Sequence, residues 1–296
     1  MRVRRATVVS HTGRKRRHNE DAYVCEPPLF AIADGMGGAR AGEVASSLAA
    51  AAVQAGEANG DGKDRVVALI QAANRSVYER SSSDAEVAGM GTTMTVALVE
   101  EVGVTFGHVG DSRAYVLRDG TLEQLTDDHS LVAELVRGGK LSAEEAEHHP
   151  QRSVITRALG TDPDVDVDTF TVDPHEGDVF VLCSDGLTDM VGDDEIGEVL
   201  SSRRESLDEA ANELVRRANK AGGQDNITVI AFEITDEPAE PDEQTLEQTV
   251  EQTQPLPAQD EPSEPKERRA WRRFVPLLLL LLAVAAAAIV LWFLVR

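Results

Sequence analysis

Cysteine is almost missing from this chain: Cys25 and Cys183 are the two it has in 296 residues. Both lie in or beside apolar runs, so no disulfide framework is expected, and the two read as small buried apolar side chains. Positive charge is also scarce. Against 52 Asp and Glu there are 29 Lys and Arg, a formal net charge of -23, which argues against a nucleic-acid binder, whose phosphate contacts need a basic face. A cation-binding or simply well-solvated surface fits better. The N-terminal stretch "MRVRRATVVSHTGRKRRHNED" lacks the apolar segment of a secretory signal, so the N-terminal portion is expected to stay in the cytoplasm. Metal-ligand spacings of Cys and His of the zinc kind are absent as well.

What the chain does have is 42% hydrophobic residues, ample for a core, and one long apolar run. "FVPLLLLLLAVAAAAIVLWFLV", residues 274–295, carries no charge, and at ~1.5 Å per residue it is long enough to cross a ~30 Å hydrocarbon core. It predicts a single transmembrane helix, with Pro276 in its first turn and Trp292 at an interface. "KERRAWRR" precedes it and only Arg296 follows, which places nearly the whole chain on the cytoplasmic side of the cell membrane and the C-terminus outside. Residues 236–273 form an acidic linker rich in Pro, Gln and Thr that ends in this basic juxtamembrane stretch. Its composition cannot bury enough surface to offset ordering entropy, so a disordered, self-repelling tether is expected.

Residues 1–235 are expected to form the globular domain. Strand-like runs occur at "ATVVS", "LFAIAD", "TMTVALVE", "VTFGHVGD", "AYVLRDG", "DTFTV", "DVFVLCSD" and "NITVIAFEI". Helical runs follow Ala41, cover "DRVVALIQAANRSVYERS" and "SLVAELVRGG", and open at two capping-box patterns, "SAEE" from Ser142 and "SLDE" from Ser206. Strands joined by tight turns with helices in blocks outside them predict an α+β layered domain, not a doubly wound fold.

Aspartates recur at the mouths of the predicted strands. Asp34 closes "LFAIAD", Asp111 closes "VTFGHVGD", Asp185 closes "DVFVLCSD", Asp225 precedes "NITVIAFEI", and Asp21 stands before a further apolar segment. A lone Asp-Gly after a strand is most often just a turn. Several at one sheet edge are different, because converging carboxylates repel unless a cation or proton compensates. Oxygen ligands alone select hard ions, Mg2+ or Mn2+. Two such ions ~3.5–4 Å apart can make a bridging water a nucleophile, the chemistry of phosphate-ester hydrolysis. The tract "GRKRRHNED" adds Arg14, Lys15, Arg16 and Arg17 just before Asp21; one arginine there could grip two phosphate oxygens, while the others read as a solvated basic patch or a membrane-surface contact.

"RRHNED", "ADGMGGARAGEVAS", "GMGTTMTVAL", "HVGDSRAYVLRDG", "LTDDHSLVAELVRGG", "HPQRSVITRALG", "LCSDGLTDMV" and "GGQDNITVI" resemble, in order, the motif series of the metal-dependent PP2C-type (PPM) serine/threonine protein phosphatases. The resemblance covers residues 5–235 and is strongest to the bacterial branch, in particular its membrane-anchored actinobacterial members that oppose transmembrane Ser/Thr kinases. It implies a four-layer αββα sandwich with two central antiparallel sheets. It also implies that Asp34 bridges two metal ions, that the Gly35 carbonyl binds one and Asp185 and Asp225 the other, and that Asp21 acts through a metal-bound water. Asp111 and Asp185 would hold a third, weaker ion, with Ser153 in a flap that can approach it. Arg16 would grip the phosphate. Met36 stands where animal members carry a proton-donating histidine, which leaves that proton to a metal-bound water. His108 reads as a packed residue, and His148 and His149 as exposed loop residues. The implied substrates are phosphorylated proteins, including membrane kinases, for a monomeric enzyme. A catalytically inactive membrane adaptor and a phosphatase of anti-sigma-factor antagonists are the alternatives.

Overall fold

Strict alternation of large and small apolar residues lets single strands serve two cores at once. In Leu29–Met36 (β3), Phe30 and Ile32 point to one side and Ala31 and Ala33 to the other, as the period of two along a strand requires. The structure is a computed structural model, and it describes residues 1–37, 41–56, 60 and 62–236. The predicted linker beyond residue 236 and the predicted membrane span at 274–295 lie outside the described residues. Among the described residues no helix is long and apolar enough to cross a membrane.

Two antiparallel sheets form the centre. One contains Arg2–His11 (β1), Arg113–Arg118 (β7), Thr121–Gln124 (β8), Val179–Cys183 (β10) and Ile227–Thr235 (β11), in the order β1-β11-β10-β7-β8. The other contains Asp21–Glu26 (β2), β3, Met94–Glu100 (β5), Gly103–Val109 (β6) and Asp168–Val172 (β9), in the order β2-β3-β5-β6-β9, while Gly91–Thr92 (β4) pairs with β3. Phe30, Ile32 and Phe106 of the second sheet meet Phe180, Ile230 and Phe232 of the first, with the Phe30 and Phe232 rings stacked at 4.1 Å. Each such ring withdrawn from water stabilises the fold by about 1.5–3 kcal/mol.

Helices cover both outer faces. Ala41–Ala55 (α1) and Gly62–Ser83 (α2) pack on the second sheet, where Ala31 and Ala33 meet Ala45 and Ala49. Asp193–Ser202 (α6) and Leu207–Ala221 (α7) pack on the first, against Val181, Val229 and Ala231. Leu131–Arg137 (α3), Ala143–Glu147 (α4) and Asp185–Thr188 (α5) are short elements in connections. The expected α+β class with two antiparallel sheets is what the chain forms. Both cysteines are free, Cys183 buried and Cys25 partly so.

The strand mouths need one correction. Asp34 does not end its strand: β3 runs on to Met36 because Gly35 and Met36 pair with Thr92 and Gly91 of β4. Nor do Asp185 and Asp111 close theirs: β10 stops at Cys183 and Asp185 begins α5 after Ser184 at its N-cap, and Asp111 lies beyond the end of β6 at Val109.

Candidate active site

The β2–β3 hairpin sets the first pair of carboxylates. Its register places Asp21 directly opposite Asp34. The Asp34 backbone is fixed on both sides, its N–H donating to Thr93 Oγ1 at 2.9 Å and its carbonyl accepting from Thr93 N–H at 2.9 Å and Thr92 Oγ1 at 2.8 Å. The Asp21 side chain crosses between the sheets: Ser184 Oγ and Thr228 Oγ1 donate to its Oδ2 at 2.9 and 2.6 Å.

Asn226 ties the remaining pieces together. Its Oδ1 accepts from Glu20 N–H at 2.7 Å and its Nδ2 donates to the carbonyls of Thr12 and His18 at 3.0 and 2.9 Å, while its own N–H donates to Asp225 Oδ1 at 2.8 Å. The basic loop and Asp225 are thereby held by one buried amide. Arg16 Nη2 reaches Asp225 Oδ2 at 2.7 Å, with Glu20 at 3.8 Å from Nη1.

These elements enclose a cavity of about 490 Å³ whose walls include Arg16, Asp34, Gly35, Asp111, Asp185 and Asp225. The connection between α4 and β9 contributes Arg152 and Ser153, and Arg152 lies 3.6 Å from Asp189, which follows α5. Asp21 does not line the cavity; it stands half-buried across the hairpin from Asp34. All the residues expected at the site from the sequence are therefore brought to one end of the sandwich. Asn226 and the Arg152–Asp189 pair were not anticipated.

The electrostatics of the pocket are those of a cation site. Burial, and then the charges of Asp21, Asp185, Asp111 and Asp225, push the Asp34 carboxyl well above the usual carboxylate range. Asp185 is raised in the same way, by burial and then by Asp111, Asp225 and Asp189. Burial lifts Asp21 to about 6 against the two hydroxyls that lower it, and Asp111 to about 7, with Asp128 adding to the rise. Asp21 Oδ1, Asp111 Oδ1 and Asp185 Oδ1 are buried with no hydrogen-bond partner. Among the described residues no three His, Cys, Asp or Glu side chains are already closed into a coordination group. The carboxylates act on one another through charge and keep oxygens free, as mutually repelling ligands do when nothing positive stands between them.

Packing against α1 fixes the residue type at Gly35. An added Cβ there would lie 2.1 Å from the Gly42 carbonyl oxygen of α1 and 2.6 Å from that of Glu20. The glycine admits the helix backbone.

Residues 10–229 match the family described as Protein phosphatase 2C. A serine/threonine phosphatase, stp, of Listeria welshimeri is 42% identical over 239 residues, which cover 75% of this chain and 92% of that protein. The crystal structure of the Mycobacterium tuberculosis serine/threonine phosphatase PstP/Ppp superposes with a TM-score of 0.74 at 39% identity, covering 79% of this chain and 100% of the other. The catalytic domain of a PstP in complex with two manganese ions gives a TM-score of 0.71 at 37% identity, covering 80% and 100%. With the two-sheet fold and an acidic cavity at its edge, the chain belongs to the metal-dependent protein phosphatase 2C family and is a serine/threonine protein phosphatase.

Proposed function

We propose that this phosphatase holds two Mn2+ or Mg2+ ions through Asp34, the Gly35 carbonyl, Asp185 and Asp225, with Asp21 supporting them from behind. A third, weaker ion falls to Asp111, Asp185 and Ser153. The observation that carries this reading is the set of buried, partnerless oxygens on Asp21, Asp111 and Asp185, which a divalent cation satisfies and a neutral fold leaves costly. When bound, the ions supply a water nucleophile and neutralise phosphate charge.

The chain's own residues do the rest. Arg16 is anchored by Asp225 at 2.7 Å and offers its remaining guanidinium donors to the phosphate oxygens. Met36 lines the same cavity and can neither take nor give a proton, so the leaving serine or threonine oxygen takes its proton from water. Arg152 and Ser153 face the pocket from the flap side.

The substrates we propose are phosphoserine and phosphothreonine proteins, membrane Ser/Thr kinases among them. The uncharged run at 274–295, preceded by basic residues, supports a cytoplasmic domain anchored to the cell membrane by its tail. The metal assignment is tested by isothermal titration with Mn2+ and by hydrolysis of p-nitrophenyl phosphate. Asp34→Ala and Asp185→Ala are expected to weaken Mn2+ binding and to lower turnover by at least ~100-fold; retained binding and turnover in both would sink the assignment.

A further inference from the structure

Arg14, Lys15, Arg16 and Arg17 follow one another on the loop between β1 and β2, and all four are exposed. Arg16 alone lines the catalytic cavity. Among the described residues no carboxylate pairs with Arg14, Lys15 or Arg17. Their loop is held in place, since the Arg14 and Lys15 N–H groups donate to the Gly223 carbonyl at 2.7 and 3.2 Å and Asn226 grips both ends of the segment through Thr12 and His18. Gly223 follows α7, whose last turn presents Lys220, exposed and likewise without a pairing carboxylate. Lys220 borders a groove of about 400 Å³, and Met190 belongs to the walls of both that groove and the catalytic cavity.

A patch of this kind is unexpected in a chain with 52 acidic and 29 basic side chains. Several cations elsewhere are neutralised, Arg5 by Glu233, Arg113 by Asp128, Arg118 by Asp178 and Arg217 by Glu195 and Glu213, while other single ones, such as Lys63 and Lys140, have no pairing carboxylate among the described residues. Here four unpaired cations come together on a backbone already ordered: Arg14, Lys15 and Arg17 beside the cavity residue Arg16, and Lys220 on the groove that shares Met190 with the cavity. Binding an anionic partner at such a rim carries little further ordering cost.

Resting on the reading of the site as a phosphoprotein phosphatase, we propose that this rim is a docking surface for acidic segments of the substrate chain. The enzyme then favours phosphoserine and phosphothreonine flanked by Asp, Glu or further phosphorylated residues. A substrate is preferred over lipid as the occupant because the rim is continuous with the cavity: Arg16, between Lys15 and Arg17, is itself a cavity residue. With the phosphate in the cavity, flanking residues spaced ~3.3 Å apart along an extended chain pass over the neighbouring cations. Exposed charge pairs are individually weak, and three of them together amount to about tenfold in affinity.

The test uses the full chain and three substrates: a phosphothreonine peptide with acidic flanks, the same peptide with Gln in their place, and p-nitrophenyl phosphate. Wild type is expected to favour the acidic peptide about tenfold, through KM, at low salt. The combined Lys15→Gln, Arg17→Gln and Lys220→Gln variant and 0.5 M salt should each erase that preference, with p-nitrophenyl phosphate turnover by the variant unchanged. No preference in wild type, or a preference that survives the triple substitution, overturns the docking surface. No preference, together with stimulation by phosphatidylserine micelles that the triple variant loses, reassigns the rim to the membrane and overturns it also. Failure of wild type to hydrolyse p-nitrophenyl phosphate with Mn2+ would remove the phosphatase reading itself, and this one with it; hydrolysis without acid preference removes this one alone.

Discussion

Asp34 and Asp185 are each buried among carboxylates of their own sign, so the residues proposed to hold metal cost the metal-free fold stability. Asp34→Asn keeps the shape and removes one charge. In chelator at pH 8 it is expected to raise stability by about 1 kcal/mol, a Tm increase of ~2–4 °C, while abolishing the further rise that Mn2+ gives wild type; thermal unfolding with and without Mn2+ checks both. His108 opposes that tendency as pH falls. Burial holds its imidazole down to about 3, between Thr95 Oγ1 on Nδ1 at 2.9 Å and the Asp127 carbonyl on Nε2 at 3.2 Å. Its folded pKa lies below the ordinary value of ~6.5, so its contribution is whole above that pH and is lost as pH drops towards 3. Between pH 7 and pH 5 that loss is about 2 kcal/mol. Denaturant titrations at the two pH values should show this extra slope in wild type and not in His108→Gln. The packed role of His108 was readable from its place inside an apolar strand, and the aspartates from their place beside strand ends. Asn226, Arg152 and Asp189 were not, because their importance lies in partners far along the chain: Asn226 reaches Thr12 and His18, and Arg152 reaches Asp189.

Elements with a clear period or a capping pattern were legible, and α5 and α6, which have neither, were not. β10 and β11 alternate between the inter-sheet core and the helix-covered face, and that alternation is written in their sequence. The Ser142 pattern forms its full capping box, with Glu145 N–H donating to Ser142 Oγ at 3.2 Å and Ser142 N–H to Glu145 Oε2 at 2.8 Å, and Ser206 caps α7 through Glu209 N–H at 3.2 Å. α5 escaped notice because four residues hold one turn and no period; its placement comes from Gly186, where an added Cβ would lie 2.0 Å from the Asn226 carbonyl oxygen. α6 buries only Ile196, Val199 and Leu200 and carries Gly197 in its middle, which weakens both the pattern and the helix propensity. The contact between α1 and β3 reverses a usual rule. Gly→Ala inside a helix ordinarily stabilises by about 1 kcal/mol. At Gly42 an added Cβ would lie 2.7 Å from the Gly35 carbonyl oxygen, and backbone on that side cannot turn away as a side chain would. Overpacking of this kind costs about 1–3 kcal/mol, which cancels or exceeds that gain, so Gly42→Ala is expected to lower stability by up to about 2 kcal/mol net, measured by urea unfolding. A variant more stable than wild type would mean that α1 is free to shift from β3.

At the scale of the whole chain, the net charge of -23 and the proposed membrane anchor pull in different directions. A strongly acidic domain is repelled by anionic lipid headgroups, while the basic "KERRAWRR" just before residue 274 is drawn to them. The acidic residues 236–264 stand between the two. β11 begins beside Asp225 and runs nine residues to Thr235, roughly 30 Å at ~3.4 Å per residue, so the chain leaves the sheet at the end remote from the cavity. The proposed linker, residues 236–273, would reach about 35 Å as a flexible coil, which on the proposed anchoring would let the cavity meet a kinase in the same membrane. Its contribution is then effective concentration, in the millimolar range for a short flexible link, and not catalytic rate. Removing residues 237–296 should leave kcat and KM for a soluble phosphopeptide within about twofold. Dephosphorylation of a kinase co-reconstituted in the same vesicles at nanomolar enzyme should slow by at least ~100-fold. Shortening the linker by half while keeping the span separates reach from anchoring: if reach matters, the kinase reaction slows although the enzyme still sediments with the vesicles. Equal rates for the full and truncated chains on the vesicle-bound kinase would remove the tail from the account of substrate access.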